Sequence, residues 1–198
     1  MAETVPPPAA ARVLPRQCSR RGLLVGAAGL ALRCTVLDAA QGAPTPRPAA
    51  GDVLVKVGDA TATPLTPADV VAGAAPTMAW PMNADERTPR SGSRLNRIAL
   101  VRLDPGGLAQ RTGARAADGV VAYSAVCTHT GCEVGEFLAE EQVLYCECHQ
   151  SKFDPRDDAR VVDGPAPRNL PALPLRVVEG RLVVAAPFTA RPGFVEGL

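Results

Sequence analysis

The chain has 198 residues, enough for one domain with appendages or two small ones, which excludes a large multidomain enzyme. It carries 21 Lys and Arg against 20 Asp and Glu, and a formal net charge of +1 gives no overall field for holding nucleic acid, so no nucleic-acid partner is expected. Glycine (18) and proline (20) are abundant while 46% of residues are hydrophobic, the composition of a turn-rich globular chain, and with only two histidines any site built from three imidazoles fails on counting.

Residues 1–19 are rich in Pro and Ala with scattered Arg, and Ser19-Arg20-Arg21-Gly22-Leu23-Leu24 then leads into apolar and small residues up to Leu32. A basic region, a short apolar region and small residues (Ala39, Ala40) have the shape of an export signal, and residues 1–40 resemble the twin-arginine type, with Leu23 where Phe is commoner. The apolar stretch 22–32 would cover only about half of a ~30 Å hydrocarbon core as a helix, which favours a cleaved signal and a periplasmic or extracytoplasmic product over a permanent membrane tether. Cys34 follows Arg33 where a lipoprotein signal wants a small residue, so lipidation is not expected. Residues 41–50 read as a stiff Pro/Ala-rich linker, and 51–198 as the folded domain. Without residues 1–40 the chain holds 16 basic and 18 acidic residues and four cysteines, Cys127, Cys132, Cys146 and Cys148.

Within the domain, residues 52–58 (DVLVKVG) form a β-rich run. Thr66 followed by Pro67 is an N-cap with proline at the first helical position, predicting a short helix to about Gly73. Residues 74–95 contain Pro76, Trp80, Pro81 and Pro89 with no clear period, and are expected to form a loop packed by Trp80. Residues 97–103 and 119–124 are strand-like, with a short helix between them after Asp104, and 175–178 and 181–184 flank Glu179-Gly180 as a two-residue hairpin. The expectation is an all-β, small antiparallel domain with short helices and a core of Val, Leu and Ile.

Two segments hold both histidines and the four cysteines just named: Cys127-Thr-His129-Thr-Gly-Cys132 and Cys146-Glu-Cys148-His149-Gln-Ser151. Each offers one thiolate and one imidazole from a tight turn. Zinc accepts a Cys₂His₂ set, but zinc fingers pair Cys with Cys and His with His, whereas each loop here pairs Cys with His. A two-iron centre with Cys127 and Cys146 on one iron and His129 and His149 on the other explains the pairing better.

With these residues the sequence resembles the Rieske iron–sulfur family, whose pattern is C-x-H, 16 to 17 residues, then C-x-x-H; here 16 residues separate His129 from Cys146. The resemblance runs over about residues 119–186, with the cluster-binding part at about 119–170, and includes Gly164-Pro165-Ala166-Pro167 as the family's proline loop. It implies one Rieske-type [2Fe–2S] cluster per chain, a Rieske-type β fold with a cluster-binding loop subdomain, and a potential between about −150 and +300 mV. It also implies a disulfide between Cys132 and Cys148, which match the paired positions of the quinol-oxidising branch, the alternative being two free thiols. Ser151 matches a hydroxyl that donates to a bridging sulfide, whereas Phe153 replaces a tyrosine donor and Glu147 replaces the usual Pro, and both changes lower the potential. Thr130 is polar where quinol-oxidising members place an apolar residue.

Both imidazoles are committed, so neither the mononuclear iron of a Rieske oxygenase nor a nucleophilic triad can be built. One-electron transfer remains, with no independent substrate-converting site. The expected partners are redox proteins, a cytochrome or a catalytic oxidoreductase subunit similar to that of arsenite oxidase. Quinol is a partner only in the alternative reading as the subunit of a cytochrome bc-type complex. Glu133, Glu136 and Glu147, with Glu140 and Glu141, lie in or between the two loops as a solvated surface or a docking patch for a basic cytochrome face.

Overall fold

The computed structural model describes residues 45–195; the expected export signal lies outside the described residues. Among the described residues eleven strands and one α-helical turn follow in order, with three 3₁₀ turns between them: β1 (Val53–Lys56), β2 (Thr77–Asn83), β3 (Thr88–Pro89), β4 (Ile98–Arg102), α1 (Gln110–Gly113), β5 (Val120–Ser124), β6 (Glu136–Leu138), β7 (Val143–Cys146), β8 (Ser151–Asp154), β9 (Arg160–Asp163), β10 (Leu175–Val178) and β11 (Arg181–Val184). They form two antiparallel sheets, one ordered β10-β11-β1-β2-β4-β5 with β3 beside β2, the other β6-β7-β8-β9. The domain is all-β with short helical turns, as the sequence implies.

Period-two alternation sorts the side chains of β4 and β5 into two cores. Ile98, Leu100, Val120 and Ala122 pack with Leu54, Leu173 and Leu182 in the first. Val101, Val121 and Tyr123 point the other way, into a second core with Leu144, Phe153, Cys127 and Cys146. The pair β4-β5 is therefore buried on both faces, and the second core is the floor of the cysteine-bearing loops. Burying each of these aliphatic side chains contributes roughly 1.5–3 kcal/mol against the chain's ordering entropy.

Two local expectations are corrected. Residues 74–95 are not a loop: Thr77–Asn83 is the longest strand, pairing with β1 through Leu54↔Pro81 and Val55↔Trp80 and with β4 through Thr77↔Leu100. Pro81 is tolerated because the Arg90 N–H donates to its carbonyl at 2.8 Å, so its missing donor faces the side where pairing with β4 has already ended at Ala79. The helix from Thr66 closes after one 3₁₀ turn, Pro67–Asp69, as the Thr66 N–H and hydroxyl both donate to the Asp69 carboxylate and the buried Val70 turns extended into the first core. Trp80 is half-buried against Val53, Val55, Met82 and Val183, as expected of a packing residue, and the Arg97 guanidinium lies 5.7 Å from its ring centroid. Ahead of Gly51, the Asn96 amide donates to the Pro46 carbonyl at 2.9 Å and the Ala49 N–H to the Asp52 carboxylate at 2.8 Å.

Candidate metal centre

The first cysteine-bearing loop leaves β5 and folds back on itself: the Cys127 N–H donates to the Cys132 carbonyl at 2.7 Å and the Gly131 N–H to the Cys127 carbonyl at 3.1 Å. Gly131 has φ +84°, the left-handed conformation that favours glycine. The second loop is the four-residue connection between β7 and β8, closed by the Gln150 N–H donating to the Cys146 carbonyl at 2.9 Å, with Cys146 opposite Ser151 in register. Cys132 and Cys148 are disulfide-bonded across the two loops, Cα to Cα 6.4 Å. Cys127 and Cys146 are free and buried, each 1% exposed.

Sulfur sits with sulfur and nitrogen with nitrogen. Burial and the adjacent Cys127 push the Cys146 thiol up to about 11, so Cys146 resists ionisation until a cation takes up the charge. The imidazoles of His129 and His149 meet edge to face, centroids 4.6 Å apart. His129 is half-buried with its Nδ1 enclosed and lacking a hydrogen-bond partner, while His149 is exposed. The Ser151 hydroxyl is likewise enclosed and unpartnered. An orphaned ring nitrogen, an orphaned hydroxyl and two facing buried thiols are costly in an empty protein interior and satisfied by a ligated centre. Among the described residues no three His, Cys, Asp or Glu side chains converge where one ion would sit; separate thiol and imidazole pairs fit a two-iron group.

The proline loop packs against the second loop. Gly164 (φ +83°) lies so close to the second that a Cβ would stand 2.5 Å from the Ser151 Cα and 2.7 Å from the Gln150 carbonyl oxygen. Pro165 beside it is exposed and Ala166 enters the second core. Phe153 is fully buried in the core that holds Cys127 and Cys146, and exposed Thr130 places its Oγ1 3.8 Å from the Cys132 sulfur. Glu133, Glu136, Glu140, Glu141 and Glu147 are all exposed, and two of them are ion-paired, Glu133 with Arg97 at 2.5 Å and Glu141 with Lys152 at 2.7 Å.

Sequence reasoning missed the supports of the first loop. The Thr128 hydroxyl, between Cys127 and His129, donates to the Arg168 carbonyl at 2.6 Å, and Arg94 with Phe194 crowds Gly131. These partners lie 37 to 63 residues from the loop residues they touch, and no local pattern marks them.

Residues 90–174 match the family model of the Rieske [2Fe–2S] domain. The chain is 36% identical over 130 residues to the cytochrome bc1 complex Rieske iron-sulfur subunit of Streptomyces lividans, which covers 64% of this chain and 75% of that protein. The subunit of the same name from Streptomyces coelicolor is also 36% identical over 130 residues, 64% of this chain but 36% of that protein. A Haloferax mediterranei protein named "Putative respiratory nitrate reductase subunit Rieske" is 49% identical over 76 residues, 38% of this chain and 34% of its own length. The chain thus spans about a third of the length of the latter two.

Proposed function

The chain belongs to the Rieske [2Fe–2S] family and is an electron-transfer subunit; we propose that it works outside the cytoplasm, as a soluble carrier or as the small electron-transfer subunit of an exported oxidoreductase. Cys127 and Cys146 would hold one iron and His129 and His149 the other. When bound, the cluster supplies reversible one-electron exchange at a potential raised by its two imidazole ligands. The chain's own residues divide the labour around it. Burial of both thiols against Phe153 and Leu144 keeps water from the sulfur side. The exposed His149 ring offers an edge to a partner, and the Ser151 hydroxyl is aimed inward, where it can donate. The observation that carries this reading is the asymmetry of the site: two thiols in the core, one imidazole at the surface.

Export of a folded, cofactor-loaded chain is what a twin-arginine-type signal at residues 1–40 would serve. Among the described residues no helix is long and apolar enough to cross a membrane. The test is spectroscopic and topological. Reduced protein should give the rhombic EPR signal of a mixed thiolate–imidazole two-iron centre, and Arg20→Lys with Arg21→Lys should hold the chain in the cytoplasm. A colourless, EPR-silent product after anaerobic reconstitution would remove the reading.

The second reading, the iron–sulfur subunit of a cytochrome bc-type quinol-oxidising complex, is favoured by the similarity to the Streptomyces subunits and by the disulfide. Thr130 beside that disulfide is polar and exposed, which suits a quinol ring less well than an apolar residue. Carbonate-resistant membrane association with an intact Met1 end would favour it; release of a shortened chain favours the first.

A further inference from the structure

Resting on the two-iron centre of the preceding section, we propose that Arg168 is a positioning residue: it clamps the C-terminal segment 191–195 over the first cysteine-bearing loop, and this clamp determines how firmly the His129 side of the site is held. Arg168 follows the proline loop directly. Its carbonyl accepts the Thr128 hydroxyl at 2.6 Å, so its backbone is tied to the residue between Cys127 and His129. Its guanidinium, through Nη2, donates to the Arg191 carbonyl at 2.9 Å and to the Gly193 carbonyl.

The segment held in this way returns to the same loop. Gly193 has φ +81°, and a Cβ there would stand 2.9 Å from Leu95 Cδ2; Pro192 and Gly193 are both buried. The next residue, Phe194, lays its ring edge where a Cβ on Gly131 would meet it at 3.1 Å, and the Arg94 guanidinium closes on the same spot at 2.6 Å. Gly131 is two residues beyond His129. A closed circuit therefore runs from Thr128 through Arg168 and Gly193 to Phe194 and back to Gly131, bracketing His129 on both sides.

The second loop has its own restraints, β7-β8 pairing and the Gly164 contact. The first loop is closed at its base by the Val126↔Glu133 bridge and the bond from the Cys127 N–H to the Cys132 carbonyl, and the circuit adds a restraint on its far end from outside the loop. Burial and the neighbouring Arg191 cation lower the Arg168 pKa. The guanidinium is half-buried, and the two carbonyls that Nη2 gathers compensate for the water it has lost.

The test uses the full chain with its cluster: Arg168→Met, Arg168→Lys, Phe194→Ala and deletion of residues 192–198, each followed by EPR line shape and by the rate at which a ferrous chelator strips iron from reduced protein. Loss of outer-shell supports commonly weakens metal binding 10- to 100-fold, so Arg168→Met and the deletion should each speed iron loss by about tenfold or more and alter the rhombic spread. Phe194→Ala should act in the same direction with smaller size, and Arg168→Lys should restore only part, since its ammonium ends one bond short of the Nη2 that meets both carbonyls. Combining Arg168→Met with the deletion should add nothing to either alone. Additive effects, or iron loss unchanged in both the deletion and Phe194→Ala, would overturn the clamp while the wild-type spectrum stands. A wild-type protein without that spectrum overturns the cluster reading itself.

Discussion

Gly164 meets the backbone of Ser151 with no space for a side chain: an added Cβ would lie 2.5 Å from the Ser151 Cα and 2.8 Å from its nitrogen, both backbone atoms that cannot swing aside. Gly164 also holds φ +83°, which an alanine adopts only under strain. Gly164→Ala should destabilise the domain by about 2–4 kcal/mol through the sum of strain and clash. It should also push the proline loop off the second cysteine-bearing loop. Denaturant melts and iron per purified chain read the two effects, and both should fall together.

The buried Ser151 hydroxyl has no protein partner. Ser151→Ala should leave the cluster-free chain as stable or slightly more so, because it deletes an unsatisfied buried group. In the loaded protein the same change removes a donor that favours the reduced state, lowering the midpoint by about 40 mV, the equivalent of ~1 kcal/mol in a one-electron couple. Phe153→Tyr should shift it upward by about the same amount if the new hydroxyl reaches a ligand sulfur, since Phe153 shares a core with Cys127 and Cys146. Voltammetry of the two variants checks both signs, and an unmoved midpoint in each would remove the hydrogen-bond argument.

The disulfide joins residues 16 apart, Cys132 and Cys148. Closing a loop of that size restrains the unfolded chain by about 3 kcal/mol. Cys132→Ala with Cys148→Ala should lower unfolding free energy by that order and let the exposed second loop drift from the first. Urea titrations of the variant against the oxidised parent give the number. Reductant added to the parent should reproduce the loss, whereas reductant added to the variant should leave its stability unchanged.

Much of the site is legible in the sequence because its chemistry is scarce. Two histidines and the four remaining cysteines fall in two short segments, and the spacing from His129 to Cys146 assigns each to a loop. The hairpin at Glu179-Gly180 and the strands ending in Arg102 and Ser124 follow from local pattern in the same way. β2 is hidden because Pro76, Pro81 and Pro89 look like loop punctuation. Pro81 fits only since β4 stops short of it, a fact of tertiary pairing. Glu133 reads as a surface acid and is one, but its pairing with Arg97 ahead of β4 is set by tertiary contact. The Arg168 contacts to Thr128 and Gly193 join positions 40 and 25 residues away, with no periodicity to announce them.

Tyr123 links the two halves of the domain: from β5 its hydroxyl donates to the Pro155 carbonyl at 2.7 Å, in the connection beyond β8. Burial, and then the Asp158 carboxylate, push its pKa well above the usual tyrosine value. Tyr123→Phe leaves a buried carbonyl unpaired and should lose about 1–3 kcal/mol at neutral pH. The sign of the pH effect follows from the raised pKa. Below about pH 10 folded and unfolded chains both keep the phenolic proton and stability from this group is fully present. Above that the unfolded chain releases the proton while the folded one retains it, so stability falls by up to about 1.4 kcal/mol per pH unit until the folded group ionises too. Urea midpoints measured from pH 8 to 11 should therefore decline more steeply for the parent than for Tyr123→Phe, and the two curves should converge at the alkaline end. Parallel curves across that range would mean that Tyr123 ionises as readily in the folded chain as in the unfolded one.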